Sequence, residues 1–383
     1  MDDHLKGRLV RRIESLLGPS LATLRELVSV NSFTRNRAGV NENGRMVSKL
    51  FAPLGFDTHV AHATDPELGD HRFLTRTGAG HQEIVFISHL DTVYPPEVER
   101  ANGFCWHEDE QRVYGPGVAD VKGGTVVAHL ALQTLALELP HLLEQLNWHV
   151  LLNAAEEEGS ADFPRLARDY LTPHTLACLV LEHARAAGDG RGSLVTTSRR
   201  GSARFVVDVC GRASHAGSAH ERGANAVCEL AGLITRVEAA TDYSRGTTFN
   251  VGRIEGGVGS NTVAGHARGY LDVRADTVEQ FDHATAWIES LAGVGHVRSA
   301  ADGFACRVDV TRLPSYPPWP ENAASQRLGK MATQAAEAIG QFVSTERRFG
   351  ASDGCHLWNH APTLDGLGPI GENIHCAVKY PQR

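Results

Sequence analysis

Between Ile84 and Pro95 the chain reads IVFISHLDTVYP: four apolar residues run straight into the polar cluster Ser88-His89-Leu90-Asp91-Thr92. A short apolar run that stops on polar residues is the pattern of a buried strand whose C-terminal end opens into a site. In open α/β sheets, ligands lie beyond the carboxyl ends of such strands. Side chains alternate along a strand, so His89 and Asp91 point the same way. The carboxylate can then accept the ring N–H that a metal leaves unused, fixing the tautomer of a ligating imidazole. Taken alone, a His-x-Asp is also an ordinary surface turn.

Similar strand ends recur along the chain. Asn147–Asn153, with WHVLL at its centre, runs into Ala154-Ala155-Glu156-Glu157-Glu158-Gly159. Three consecutive carboxylates repel one another unless something positive holds them; a solvated charge run is the bland alternative. Leu176–Leu181 is a further apolar run, ending in Glu182-His183. A parallel sheet brings the ends of such strands to one edge. Between them, VYGPGVADVKGG places Asp120 where a loop enters a long apolar helix, Thr125 to about Leu139. That position suits ligand binding and equally suits an N-cap. His375 lies in the terminal Gly-rich loop GPIGENIH, a place where a histidine is often incidental.

The 383 residues are long for one core and comfortable for two. The first helical pattern is interrupted at Gly18-Pro19-Ser20, which predicts two helices there, and a third from Asn41 to about Pro53. From about Ser198 the texture changes. Strands near Phe205–Cys210, Thr247–Ile254, Ala267–Val273 and Cys306–Val310 alternate with helices over Asn225–Ala239 and Val278–Leu291. This β-α-β-β-α-β order is that of a ferredoxin-like α+β domain. The predicted fold is therefore an α/β catalytic domain, 1–198 and 312–383, with a central mixed, mostly parallel sheet flanked by helices. Residues 199–311 form the inserted domain, and the Pro-rich LPSYPPWP marks the return.

A net charge of −8 argues against general nucleic-acid binding. No apolar run approaches the ~18 residues of a membrane span. The charged amphipathic start, MDDHLKGRLVRRIESLL, lacks a signal-peptide core. Seven cysteines, none in a Cys-x-x-Cys pair, suit reduced thiols and a cytoplasmic setting. The chain has no Gly-x-Ser-x-Gly, no Walker loop and no Gly-x-Gly-x-x-Gly after a strand, which turns attention from covalent and nucleotide chemistry.

If His89, Asp120, Glu157, Glu182 and His375 converge, two imidazoles and three carboxylates are too many for one catalytic zinc. They suit two metals about 3.5–4 Å apart, bridged by one carboxylate and one water. Glu156, beside one of the ligands, is then free to take the water's proton. The reaction class is amide hydrolysis.

The set SHLDTV, YGPGVADVKGG, NAAEEEGS, LVLEHA, GRASHAGSAHERGANA and GPIGENIH resembles the co-catalytic zinc peptidases and deacylases, in the right order over nearly the whole chain. That family includes bacterial glutamate carboxypeptidase, acetylornithine deacetylase, succinyl-diaminopimelate desuccinylase and aminoacylase. The resemblance implies His89 and Glu182 as ligands of one zinc, with Asp91 orienting His89, and Glu157 and His375 as ligands of the other. It implies Asp120 as the bridge and Glu156 as the general base. His215, in the inserted lid domain, matches a histidine that stabilises the oxyanion, commonly from the partner subunit. Asn261 and Arg274 match lid positions that help to bind substrate, and Arg312 is a candidate for the Arg that selects C-terminal glutamate. Arg199 and Arg200 are alternative clamps for a carboxylate.

The resemblance further implies two Zn2+ (Co2+ or Mn2+ also fit), a homodimer through the lid, and a small-molecule or short-peptide substrate. The texture is nearest to the glutamate carboxypeptidases. An N-acyl or N-acetyl amino acid deacetylase is the alternative, and a metal-free binding protein a more distant one. The chain departs from the family pattern at His220, Ala264 and Lys379.

Overall fold

The computed structural model describes residues 3–188, 190 and 192–376; Lys379 lies outside them. The chain divides into two compact units, 1–198 with 321–347 and 352–383, and 199–320 with 348–351.

In the first unit, the central strand Glu83–His89 has apolar residues on both faces, as a strand covered twice must. It lies in a six-stranded sheet whose lateral order is Asp57–Ala61, His71–Arg76, Asn147–Asn153, Glu83–His89, Thr175–Val180, Thr363–Leu364. Glu83–His89 runs parallel to both its neighbours, and Thr363–Leu364 is parallel to Thr175–Val180. The first two strands are antiparallel additions, so the sheet is mixed. Phe86, Leu74 and Leu152 face one core with Leu27, Phe51 and Leu132 of the helices Asp3–Val28, Arg37–Phe51 and Lys122–Glu138. Val85, Ile87 and Leu151 face the other with Phe163, Ala167 and Leu357.

Gly123 and Gly124 explain how the helix Lys122–Glu138 sits so close to the strands. A Cβ on Gly124 would stand 2.1 Å from the Leu181 carbonyl oxygen, and one on Gly123 2.1 Å from that of Val118. Gly124 lets the helix start press against Leu181, at the end of the strand Thr175–Val180, and Gly123 lets the preceding loop fold back onto it. Asp120 and Glu182 are thereby brought to the same edge.

The expected break at Gly18-Pro19-Ser20 does not occur. One helix spans Asp3–Val28 with Pro19 inside it. Proline removes an N–H and frees the carbonyl four residues back. Ser15, Gly18 and Pro19 are all exposed, so water can take up what the helix loses. Several strands have no counterpart in the sequence reading, among them Gly192–Arg199 and Phe342–Arg348, which pair in a small separate sheet with Arg185–Ala186.

The second unit carries the ferredoxin-like order Thr248–Gly256, His266–Ala275, Gly201–Cys210, Ala305–Arg312, with a further edge strand, Gly293–Arg298, that the sequence pattern did not suggest. The helices Ala226–Ala239 and Val278–Glu289 pack Leu230, Leu233 and Phe281 on Phe205, Val207 and Leu271. The chain leaves this unit at Pro320 rather than at Thr311. The reason is local pairing: Ser202 and Arg199 exchange backbone hydrogen bonds with Tyr316 and Trp319, which zips the Pro-rich stretch onto the start of Gly201–Cys210. The Arg200 N–H donates to the Arg348 carbonyl and draws in 348–351. Among the described residues no helix is long and apolar enough to cross a membrane.

Candidate metal centre

The strand Glu83–His89 ends on a buried imidazole. His89 Nε2 lies 2.9 Å from Asp120 Oδ1 and 3.7 Å from Glu182 Oε1. Its Nδ1 faces Asp91, 3.1 Å from the carbonyl oxygen and 3.3 Å from Oδ1. Asp91 is fully buried and also accepts the Thr34 hydroxyl at 2.7 Å. On the other side, His375 Nε2 is 3.4 Å from Asp120 Oδ2 and 3.1 Å from Glu157 Oε2. Asp120 thus turns one oxygen to each imidazole, and each imidazole has a second carboxylate of its own. His89, Asp120, Glu157, Glu182 and His375 are brought together. Glu156 lies with His89 and Glu182, all three ligand atoms within 4.8 Å of one another. His183, one residue beyond Glu182, forms a similar group with Asp120 and Glu182.

The electrostatics show how crowded this charge is. Burial, reinforced by the Glu182 carboxylate, pushes Glu156 well above the usual glutamate range. Burial also raises Glu157, although its bond from His375 works the other way. On His375 the bonds to Asp120 and Glu157 prevail, raising the imidazole to about 10. Burial opposes charge on His89, but the bonds to Asp120 and Asp91 outweigh it and the pKa rises well above 6.5. Asp120 goes below its ordinary range: burial opposes this, and the bonds from His375 and His89 win. Carboxylate oxygens and imidazole nitrogens without a thiolate form a donor set for zinc, cobalt or manganese. The residues fit a metal.

Beside the site a cavity of about 690 Å³ is lined by Asp120, Glu157 and His375 together with Leu24, Tyr94 and Phe104. The Tyr94 and Phe104 rings meet edge to face at 4.9 Å. Burial, with the Asp120 and Glu157 carboxylates adding to it, pushes the Tyr94 hydroxyl up to about 12.

The remaining candidates lie in the second unit. His215 pairs with Thr262 in a two-residue ladder, and the Ala216 N–H donates to the Asn261 carbonyl, so His215 and Asn261 are neighbours. His215 Nδ1 accepts the N–H groups of Gly217 and Ser218, both at 3.1 Å, which leaves the neutral ring's proton on Nε2. Arg274 and Arg312 are not brought together. Arg274 sits opposite Ser202 and Arg312 opposite Phe205, three residues apart along one regular strand and hence on opposite faces. Arg274 pairs with Asp272 at 2.6 Å. Arg312 lies over the Phe281 ring and 3.5 Å from Glu289.

Arg199 and Arg200, the alternative clamps, serve the fold. Arg199 is buried and donates to the Gly350 carbonyl at 2.8 Å, while Arg200 pairs with Asp276 at 2.7 Å. Of the departures, Ala264 is buried and its carbonyl accepts the Ala226 N–H, while His220 opens an exposed 3-10 turn. Thr34, His71 and Asp162, which surround the site from behind, had no local signal in the sequence, and Asn153 was legible only as the end of a strand. Asp353, within Ser352-Asp353-Gly354, is likewise a residue to which the sequence pattern assigned no role.

Residues 197–298 match the family model of the peptidase dimerisation domain. The chain is 30% identical over 360 residues to carboxypeptidase G2 of Pseudomonas sp. (strain RS-16), covering 93% of this chain and 82% of that one. It is likewise 30% identical over 369 residues to the succinyl-diaminopimelate desuccinylase of Methylococcus capsulatus, covering 91% and 90%. Among solved structures, the M20 family metallo-carboxypeptidase Sso-CP2 of Sulfolobus solfataricus shares the fold with a TM-score of 0.66, at 13% identity over 93% of each chain. The chain belongs to the M20 family of metallopeptidases and amidohydrolases, and it is a hydrolytic enzyme.

Proposed function

We propose that this enzyme hydrolyses the amide bond of a small N-acyl amino acid or peptide with a free carboxylate, in the manner of a glutamate carboxypeptidase. The observation that carries the reading is the placement of Asp120, one oxygen 2.9 Å from His89 and the other 3.4 Å from His375. One carboxylate shared between two imidazoles, each with its own acid, is the donor set of two cations rather than one. His89, Asp120 and Glu182 would hold one zinc ion, and Glu157, His375 and the shared Asp120 the other. Bound there, the pair supplies polarisation of the scissile carbonyl and a more acidic water.

The chain's own residues do the rest. Glu156 takes a proton from the water as its oxygen attacks the carbonyl carbon, and delivers it to the leaving nitrogen as the C–N bond breaks. The products are a carboxylate and an amine. Its place beside His89 and Glu182, with the ligand atoms within 4.8 Å of one another, supports both halves of that task. Asp91 orients His89. His215, with its proton on Nε2, is the proposed donor to the oxyanion. Asn261 is a proposed substrate contact, together with one of Arg274 and Arg312, which lie on opposite faces of the sheet. Either arginine would exchange its present acid, Asp272 or Glu289, for the substrate's carboxylate. The apolar walls of the cavity supply room for a bulky acyl group. A homodimer through the second unit is proposed with this, supported by the match to the dimerisation domain. The seven free cysteines support a cytoplasmic setting.

A deacylase is the second reading, favoured by the 30% identity to a desuccinylase over 91% of the chain. The test is a panel of dipeptides, N-acetyl and N-succinyl amino acids and N-aroyl glutamates, assayed with zinc, after chelation and after zinc is restored. Chelator-sensitive release of the amino acid is the expected result, and the panel ranks the two readings. A zinc-loaded protein that cleaves none of them would overturn the proposal.

A further inference from the structure

Four consecutive amides follow the strand Asn147–Asn153, and each N–H is taken by a side chain rather than by a main-chain carbonyl. Asp91 takes two: Glu156 N–H donates to its Oδ1 at 3.1 Å and Glu157 N–H to its Oδ2 at 3.2 Å. Ala155 N–H donates to Asn153 Oδ1 at 3.0 Å, and Ala154 N–H to His71 Nδ1 at 3.0 Å. The last two acceptors are themselves held by buried acids. Asn153 Nδ2 donates to both oxygens of Asp353, each at 3.0 Å. With Nδ1 accepting, neutral His71 carries its proton on Nε2, 3.1 Å from Asp162 Oδ1. Asp162 also accepts the Thr64 N–H at 2.6 Å and the Thr64 and Ser160 hydroxyls at 2.9 Å.

All four supporting residues are buried: His71 and Asn153 at 0% exposure, Asp353 at 3% and Asp162 at 8%. Asp162 stands at the N-cap of the helix Phe163–Arg168, yet it makes no capping bond. Ser160 Oγ takes the Phe163 N–H instead, at 3.2 Å. The Asp162 carboxylate is turned inwards, onto the imidazole.

We propose that His71 and Asn153, backed by Asp162 and Asp353, are positioning residues that aim the side chains of Glu156 and Glu157. The proposal rests on the reading of Glu156 as base and Glu157 as ligand. Successive residues of an irregular turn point wherever their dihedrals send them, and the four amide bonds fix those dihedrals here. A base misplaced by about 1 Å loses on the order of 10²-fold in rate. Partners standing behind metal ligands contribute about 10–100-fold in affinity or activity.

The test uses the two amide analogues of histidine in the full-length protein. Asn at position 71 places an oxygen where Nδ1 was and keeps the acceptor for Ala154. Gln places a nitrogen where Nε2 was, keeps the donor to Asp162, and loses the acceptor. Zinc affinity is measured by competition with a chelator, alongside kcat, KM and the melting temperature. His71→Gln is expected to weaken zinc at least tenfold and to lower kcat at least tenfold with KM within about twofold. His71→Asn is expected to stay within about threefold in each. Equal losses in both variants, in step with melting, or no loss in His71→Gln, would overturn the proposal.

If His71→Gln does not fold, Asp353→Leu against Asp353→Asn puts the same question to the other arm. Asn still offers Asn153 an acceptor and Leu does not, so identical behaviour of the two overturns the proposal. Loss of zinc in His71→Gln alone, in a protein whose wild type cleaves nothing, leaves the positioning intact and removes the hydrolytic reading. Normal cleavage and zinc binding by His71→Gln does the reverse.

Discussion

Glu156 and Glu157 are neighbours in sequence and opposites in surroundings. Glu157 is tied to His375 at 3.1 Å, while Glu156 stands between the His89 imidazole and the like-charged Glu182 carboxylate. A charge-neutral substitution should separate their roles. Glu156→Gln is expected to keep both metals and to lose about 10²- to 10⁴-fold in kcat, the range for a general base. Glu157→Gln is expected instead to lose zinc, about one ion per chain. Elemental analysis of the purified variants beside their kcat values checks both; full turnover in Glu156→Gln would refute the base. In the sequence the apolar run showed only three consecutive glutamates, and it was the family resemblance that told Glu156 from Glu157. Which of them faces the imidazoles depends on how the turn is held, and its supports come from Asp91, His71 and Asp353, far away along the chain.

At the scale of elements, the start of the helix Lys122–Glu138 is docked by its first residue. Lys122 is buried, and its ammonium donates to the carbonyls of Leu27 at 2.9 Å and Val30 at 2.7 Å, where the first helix ends. Leu27 lies in the last turn of that helix, where the carbonyls have no partner further along it. The contact pins the loop that carries Asp120. The first helix also yields a prediction. Pro19 sits in its exposed interior, so Pro19→Ala is expected to raise stability by on the order of 1–2 kcal/mol. A melt at constant metal load checks it.

The helix Phe163–Arg168 has a pH signature through Asp162. Burial raises that carboxyl, but the bonds from His71 and Thr64 outweigh it, and the net shift is downwards from 3.8. A carboxylate with a depressed folded-state pKa contributes stability that is present above the unfolded value and lost as pH falls through the folded one. Asp162→Asn is therefore expected to lower stability at neutral pH and to flatten its fall below about pH 4. Urea unfolding from pH 3 to pH 7 measures both; parallel curves for the two proteins would rule the linkage out.

For the whole molecule, the predictions concern metal and association. A ligand that binds only the folded state stabilises it by RT ln(1 + [L]/Kd), about 2.7 kcal/mol at a hundredfold excess over Kd. Chelation should accordingly lower the melting temperature, and zinc should restore it together with activity. In the second unit the edge strand Thr248–Gly256 is exposed over most of its length, with Ile254 at 62% exposure and Val258 just beyond it at 91%. An open, apolar edge invites pairing with another chain. Ile254→Lys is expected to shift a dimer towards monomer in sedimentation velocity, and a variant that sediments with the wild type removes this edge from the interface.

What could be read from the chain alone was whatever depends on local pattern. Apolar runs ending in His89, Asn153 and Leu181 announced strands with chemistry at their ends, and the motif set around them announced the family. The α/β architecture, the ferredoxin-like insert and the histidines and carboxylates that converge at the sheet edge were legible for that reason. Where local signals conflict with packing, the pattern misled: Pro19 looked like a break, yet the helix runs through it because its freed carbonyl faces water. Gly293–Arg298 and the Thr- and Ser-rich strand Gly192–Arg199 lacked the apolar contrast that marks a strand. Only tertiary structure could decide that Asp162 and Asp353 stand behind the turn of Glu156. A hydrogen bond between residues 91 or 200 positions apart leaves no periodicity in either segment, since its partners are chosen by where the sheet sends them.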